Sequence, residues 1–350
     1  NKFLIGFLLQ AVVCSGGLHA QTDLHANAYS IIQDAVTDIV CTSPTDAIQK
    51  EKRVIQILDG KGKGDASFVC MCDRFSSLKK FSGEVRDASG NVIRKIKKSE
   101  LKVTEYSDEL VSDDYYYFFE YTPSRYPITI TYEWEIKNSD GLIGYPSFLP
   151  QKNYNQSVAQ ASYRILTPAD NPCRYRTINM QAEVSQQQTA DGNWLTEVKV
   201  QSLPAIQKEP YSPALSELLP RIYFTPRNFS FEGTKGSMDN WQTYGAWQYQ
   251  LLNGRDQIPP ALKEELQRRT ANCNTPYEKI AAVYQYLAST TRYVSIQLGI
   301  GGLQPIAATD VHRTGFGDCK GLSNYMRAML TELGIPSTYT VISTTNRRLL

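Results

Sequence analysis

Alternation with a period of two is the feature that most constrains the fold of this chain. Between Val54 and about Gln201 apolar and polar residues trade places along one short run after another. The clearest is "ITITYEWEI", where Ile128, Ile130, Tyr132, Trp134 and Ile136 fall on one side and Thr129, Thr131, Glu133 and Glu135 on the other. Successive side chains of a strand point to opposite faces, so this run reads as a half-buried antiparallel strand. "YYYFFEY" (Tyr115–Tyr121) and "WLTEVKV" (Trp194–Val200) read as further strands. "DASGN" (Asp87–Asn91), between Glu84–Arg86 and Val92–Ile96, has the composition of a hairpin loop. Together these runs predict an antiparallel β-sandwich-like domain. A tyrosine-rich strand can stack on sugars or peptides, although aromatic strands more often fill a core.

Length and charge bound the rest. At 350 residues the chain exceeds one ordinary domain and suggests two. Its 37 Lys and Arg nearly balance 35 Asp and Glu, and neither sign gathers in long blocks, which removes the electrostatic case for nucleic acid. Residues 1–20 form a separate unit: Lys2, the apolar run Phe3–Val13, then small residues ending in Leu18-His19-Ala20. This reads as a signal peptide cleaved before Gln21, because the apolar run is far shorter than the ~20 residues a membrane-spanning helix needs. The expectation is export across the inner membrane to the periplasm or cell surface, with no transmembrane segment after cleavage. Cys14 belongs to the signal core, since Ala11-Val12-Val13 lacks the small residue that precedes a lipoprotein cysteine.

The cysteines beyond the signal are Cys41, Cys70, Cys72, Cys173, Cys273 and Cys319, too sparse for a disulfide scaffold in a chain this long. Cys70 and Cys72 share a face if they lie on a strand. With only His25 and His312 beside them, and no second closely spaced cysteine pair, no zinc site is completed. No metal or cofactor is predicted.

Prolines recur from about Leu203 to Pro260, with "SMDNWQTYGAWQYQLL" (Ser237–Leu252) as a short helix among them. Trp241 and Trp247 predict that this connector packs on its neighbours, since large aromatics seldom stay exposed without a partner. The organisation expected is a signal peptide (1–20), a β-rich domain (21–225), an ordered connector (226–260) and a helical core (261–350).

In that core Thr275-Pro276-Tyr277-Glu278 combines an N-cap, a proline at the first helical position and a glutamate three residues after the cap. Tyr277, Ile280, Ala281, Tyr284, Leu287 and Ala288 follow at helical spacing as its expected apolar face. Beyond Gly317, Leu322, Tyr325, Met326, Met329, Leu330 and Leu333 mark a second helix that stops at Gly334 and Pro336. Cys319 then lies in the first turn. Unsatisfied N–H groups and the positive dipole end favour a thiolate there, and Lys320 adds a cation. Asp318 is either the N-cap or an opposing negative charge. A small buried residue at the start of a packed helix is the competing reading of Cys319.

The stretch "RYVSIQLGIGGLQPIAATDVHRTGFGDCKGLSNYMRAMLTELGIPSTYTVI" resembles the core of the bacterial transglutaminase-like superfamily, with Gly317-Asp318-Cys319 as the turn that opens the nucleophile helix. The preceding region, with "YEWEIKNSDG" and "YPSFLP", resembles the uncharacterised β domain found before such cores in secreted bacterial proteins. The resemblance implies an α+β, papain-like core and a catalytic Cys319 that attacks an amide carbonyl, with its own backbone N–H as an oxyanion donor. It implies a polypeptide or amide substrate, possibly a component of the cell envelope. Lys320 stands where the animal cross-linking enzymes carry tryptophan, which favours hydrolysis over cross-linking. A strand is expected over Ser337–Ser343.

The family's histidine and aspartate come from strands after the cysteine helix, and no histidine follows Cys319 in this sequence. His312 with Asp310 lies upstream, where the family has no base, and reads as a solvated loop histidine. The catalytic His and Asp are therefore expected to be absent, as in a core cut before its base. The alternative is a non-catalytic envelope module that binds a polypeptide or glycan.

Overall fold

The computed structural model describes residues 23–105 and 111–342. The signal peptide expected over residues 1–20 lies outside the described residues. The chain first builds β1 (Ser30–Cys41), β2 (Asp46–Ile57), β3 (Phe68–Cys72), β4 (Ser76–Arg86), β5 (Val92–Lys97), β6 (Lys102–Glu105), β7 (Val111–Ser112), β8 (Tyr115–Phe119) and β9 (Ile128–Ser139). It continues with β10 (Tyr145–Phe148), β11 (Gln156–Thr167), β12 (Cys173–Ile178), β13 (Val184–Gln188), β14 (Trp194–Leu203), the one-turn helix α1 (Leu215–Leu218) and β15 (Arg221–Pro226).

Eight of these strands form one sheet in the order β13-β14-β11-β1-β2-β9-β4-β5, antiparallel except where β1 meets β11. Two smaller sheets, β10-β15-β12 and β3-β8-β6, cover it. The register shows that both lie on the same side. Ile32, Ala35, Thr37 and Ile39 of β1 stand opposite Ile55, Arg53, Glu51 and Gln49 of β2. Those four stand opposite Ile130, Tyr132, Trp134 and Ile136 of β9. Directly paired residues share a face, so one side of the large sheet supplies both halves of the core.

In the first half Ile32, Ile39, Tyr163 and Ile165 pack against Phe148, Ile222 and Phe224, with Tyr163 and Phe224 stacked 4.4 Å apart at 4°. In the second, Ile55, Ile57 and the even positions of β9 pack against Phe68, Cys70 and Cys72, and Tyr115, Tyr117 and Phe119 close over them. These aromatics of β8 therefore fill a core. Gln49, Glu51 and Arg53 are polar on the same inward face, where the two halves part.

After β15 a hairpin of β16 (Asn228–Phe231) and β17 (Thr234–Ser237) leads to α2 (Trp241–Gln250). Phe229, Phe231, Trp247 and Leu251 form a small cluster there, touched by Phe75 and Ile143 from the β region and by Ile300 and Leu303 from the helical region. Trp247 is buried as expected, but Trp241 is exposed, because it opens the helix on the side away from that cluster. A charged junction lies alongside. Arg74 pairs with Glu232 at 3.3 Å and with Asp113 at 3.7 Å, and the same carboxylates accept the N–H groups of Ile300 and Gly299, each at 3.2 Å. Gly299 has φ +49°, and a Cβ there would meet Glu232 Oε1 at 2.3 Å, so only glycine suits this turn.

The remaining elements are α3 (Pro260–Thr270), α4 (Pro276–Thr290), β18 (Arg292–Tyr293), β19 (Ile296–Gln297), α5 (Ala308–Thr314), β20 (Phe316–Gly317) and α6 (Cys319–Glu332). The fold is thus α+β: a β-sandwich followed by a helical α+β region. α4 begins with the expected capping box of Thr275 and Glu278. Its buried face, however, is Val283, Tyr286 and Leu287, while Tyr277 and Tyr284 point to solvent. Both stripes have helical spacing, and contact with α3 and α6 decides between them. The strand expected over Ser337–Ser343 is also not formed: residues 337–342 pair with no described strand, and Ser343 lies outside the described residues. An extended segment without a ladder partner is not a strand.

The shared inward face has a measurable consequence. Ile130→Ala, at a fully buried position, should lower unfolding free energy by roughly 2–5 kcal/mol, whereas Glu133→Ala on the opposite face should change it by no more than ~0.5 kcal/mol. Urea denaturation of the two variants checks this, and similar losses from both would contradict the register.

Candidate active site

Cys319 opens α6, and the local sequence explains its presentation. Gly315, at φ +71°, ends α5 in the left-handed conformation. The chain then extends for two residues, Phe316 and Gly317, which pair in parallel with Arg292 and Tyr293. Arg292 N–H donates to Gly315 O at 2.8 Å and Val294 N–H to Gly317 O at 3.0 Å. This ladder fixes the step from α5 to α6 and sets Tyr293 beside the cysteine.

Asp318 settles the alternatives open in the sequence: it is the N-cap. Its carboxylate is 1% exposed and accepts the Gly321 N–H at 2.9 Å, while its carbonyl accepts the Leu322 N–H at 2.9 Å. Asp318 also forms an ion pair with Lys320, whose side chain is largely buried. The Lys320 cation expected to favour a thiolate is thus spent on the cap, because a buried carboxylate draws the nearest ammonium. What remains for Cys319 is the helix end itself. The first-turn N–H groups of Cys319 and Lys320 have no acceptor within the helix.

The cysteines differ in access. Cys319 is exposed, Cys273 is partly exposed, and Cys41, Cys70, Cys72 and Cys173 are buried. Burial pushes the Cys41 thiol up to about 12, and burial likewise raises Cys173. Cys70 is raised by its hydrogen bond with Cys72 and by burial. These thiols are core residues.

Two tyrosines lie near Cys319, and no local pattern in the sequence marks either. Tyr293 stands beside the thiol, and its own phenol is raised first by lost hydration and then by its interaction with Cys319. Tyr339 is half-buried and is raised by the same causes, with Asp318 adding to them. Both phenols therefore keep their protons, and Tyr293 carries a donor beside the sulfur.

His312 does not meet Cys319. It lies on α5, not on a solvated loop, and its Nδ1 is 3.1 Å from the hydroxyl of buried Tyr325. Asp310 does not orient it either; its carboxylate accepts from Arg313 at 2.9 Å. Among the described residues no hydrogen bond joins a histidine to Cys319, and no group of three or more His, Cys, Asp or Glu is arranged to hold a metal. No described helix is long and apolar enough to cross a membrane. α6 is anchored at its far side, where Arg255 O accepts from Asn324 Nδ2 and from the Ala308 N–H, both at 2.7 Å.

Residues 264–347 match the transglutaminase-like superfamily, and residues 47–207 match a domain of unknown function, DUF3857. No curated protein matches the chain. The fold is similar to the crystal structure of a "putative protease" from Parabacteroides distasonis, with a TM-score of 0.63 and 14% identity over 88% of this chain and 59% of that one. The chain therefore spans 59% of the length of that structure. An M1 zinc metallopeptidase from Deinococcus radiodurans gives a TM-score of 0.27 and 9% identity, over 55% of this chain and 42% of that one.

The Tyr293 contact yields a direct expectation. A phenol that donates to the reacting thiolate contributes about 1 kcal/mol, so if Tyr293 plays that part Tyr293→Phe should slow iodoacetamide labelling of Cys319 at neutral pH by roughly fivefold. Peptide mapping after timed labelling measures it, and an unchanged rate would show that the phenol does not support the thiolate.

Proposed function

We propose that Cys319 acts as a nucleophile on peptide or amide bonds, and that hydrolysis, not cross-linking, is the outcome. The observation that carries this reading is a cysteine, the one exposed thiol among the described residues, at the capped N-terminus of α6, within a segment that matches the transglutaminase-like superfamily. The thiolate adds to the carbonyl carbon, and the resulting oxyanion takes hydrogen bonds from the first-turn N–H groups. Collapse of the tetrahedral species breaks the carbon–nitrogen bond as the amine takes a proton, leaving a thioester. Water then attacks the thioester, releasing the carboxylic acid and returning the thiol. The likeness to a structure described as a protease agrees with a peptide substrate.

Proton transfer to and from these groups is worth ~10²–10⁴-fold, and among the described residues no histidine hydrogen-bonds to Cys319 to provide it. On this reading the histidine and aspartate come from outside the described residues. The second reading, an envelope module that binds a polypeptide or glycan without catalysis, is favoured by one observation: His312 is engaged by Tyr325. Residues 1–20 support export to the periplasm or cell surface, for which a mature N-terminus at Gln21 is the required outcome of N-terminal sequencing.

Cys319 should be alkylated well before Cys41, Cys70, Cys72 and Cys173. Peptide hydrolysis, assayed on the 350-residue chain and, where the gene encodes more, on the complete protein, should be abolished by Cys319→Ala. Activity that survives this substitution would refute the nucleophile. Strong Cys319-dependent turnover by the 350 residues alone would refute the external base.

A further inference from the structure

A partly enclosed cleft of about 240 Å3 lies within the β-sandwich, over the central strands β1 and β2. Its position explains the polar stretch on the inward face of β2. There the alternation calls for apolar residues at 49, 51 and 53, and the chain has Gln49, Glu51 and Arg53 instead. Charged groups turned into a sandwich are costly unless they are paired or meet something that needs them. Glu51 and Arg53 pair at 3.5 Å, and the Arg53 guanidinium lies 5.5 Å from the centre of the Trp134 ring. Lys52 contributes only backbone, since it faces the other side of the sheet and pairs with Asp34 at 3.5 Å. The opposite wall comes from β10 and the segment after it.

Lys152, on that segment, is the group without a match. It is exposed and lines the cleft, near enough to Arg53 and Glu51 for both to act on its charge. Lost hydration, and then the Arg53 charge, hold it down to about 8 against the pull of Glu51. Among the described residues no carboxylate forms an ion pair with its Nζ and no hydrogen-bond acceptor is assigned to it. With Glu51 and Arg53 balancing each other, the cleft carries one uncompensated positive charge. The rest of its lining is mixed: Ile32, Ala35, Phe148 and Leu149 are apolar, and Thr37, Ser147 and Ser162 add polar positions. The volume falls below the ~300–1,000 Å3 of drug-sized sites.

We propose that this cleft binds a small monoanionic ligand of amino-acid to dipeptide size, whose carboxylate is held by Lys152 beside Arg53 and whose apolar body rests on Ile32, Phe148 and Leu149. The site is separate from Cys319 and does not depend on its chemistry. Carboxylate recognition by a lysine is a charge-assisted contact, roughly twice as strong as a neutral hydrogen bond, and the apolar walls select against bare anions.

Calorimetric titration of the Cys319→Ala protein tests this without interference from hydrolysis. N-acetyl-leucine should bind saturably below ~10 mM. Leucine amide, which lacks the carboxylate, and inorganic phosphate, which lacks the apolar body, should bind at least ~10-fold more weakly. Lys152→Gln should weaken N-acetyl-leucine by ~10-fold or more with the thermal midpoint unchanged, and Lys152→Arg should restore most of the affinity. No saturable binding of N-acetyl-leucine, equal binding of leucine amide or phosphate, or unchanged affinity in Lys152→Gln would each overturn the proposal.

Discussion

The candidate site depends on one buried carboxylate. Asp318 caps α6 by accepting the Gly321 N–H and holds the Lys320 ammonium against the same turn. With its carboxylate satisfied in this way, the helix begins at Cys319 and the thiol emerges into solvent at the positive end of the dipole. The parallel ladder between Arg292–Tyr293 and Phe316–Gly317 supports this arrangement from the other side, and brings a phenol to the sulfur. The place of Cys319 and of the tyrosine beside it thus follows from the four-residue step between two helices and the short ladder that pairs with it.

The β region carries a different logic. A single sheet face holds two apolar cores side by side, and the strip between them is polar. The small core around Phe229 and Trp247 and the Arg74, Asp113 and Glu232 junction then tie this sandwich to the segment that leads into the site. Tyr293 lies six residues before Gly299, so the junction bears on how the Cys319 neighbourhood is held.

Much of this was legible in the sequence, for physical reasons. The alternation of Ile128–Ile136 is unambiguous because one face of that strand is buried and the other is wet, and the capping box at Thr275 is a local signal that needs no tertiary context. Local signals failed where packing chose among equals. The Tyr277 and Val283 stripes of α4 have the same period, and the neighbouring helices buried the second. Trp241 was read from its size alone, and its side chain faces away from the cluster that claims Trp247. Tyr293 was invisible because its partner is twenty-six residues away in sequence, across a ladder only two residues long. The pairing of Lys320 with Asp318, and not with the thiolate, required knowing that Asp318 is buried.

The central claim is that the Cys319 sulfur attacks a carbonyl carbon. Incubation with a peptide chloromethyl ketone, whose chloride an active-site thiolate displaces to leave a permanent thioether, followed by mass-spectrometric peptide mapping, tests it most directly. The account predicts one adduct, on the peptide that contains Cys319, protected by excess substrate and lost in Cys319→Ala. Labelling at Cys273 or at the buried thiols in its place, or peptide hydrolysis that continues after Cys319 is fully modified, would contradict it.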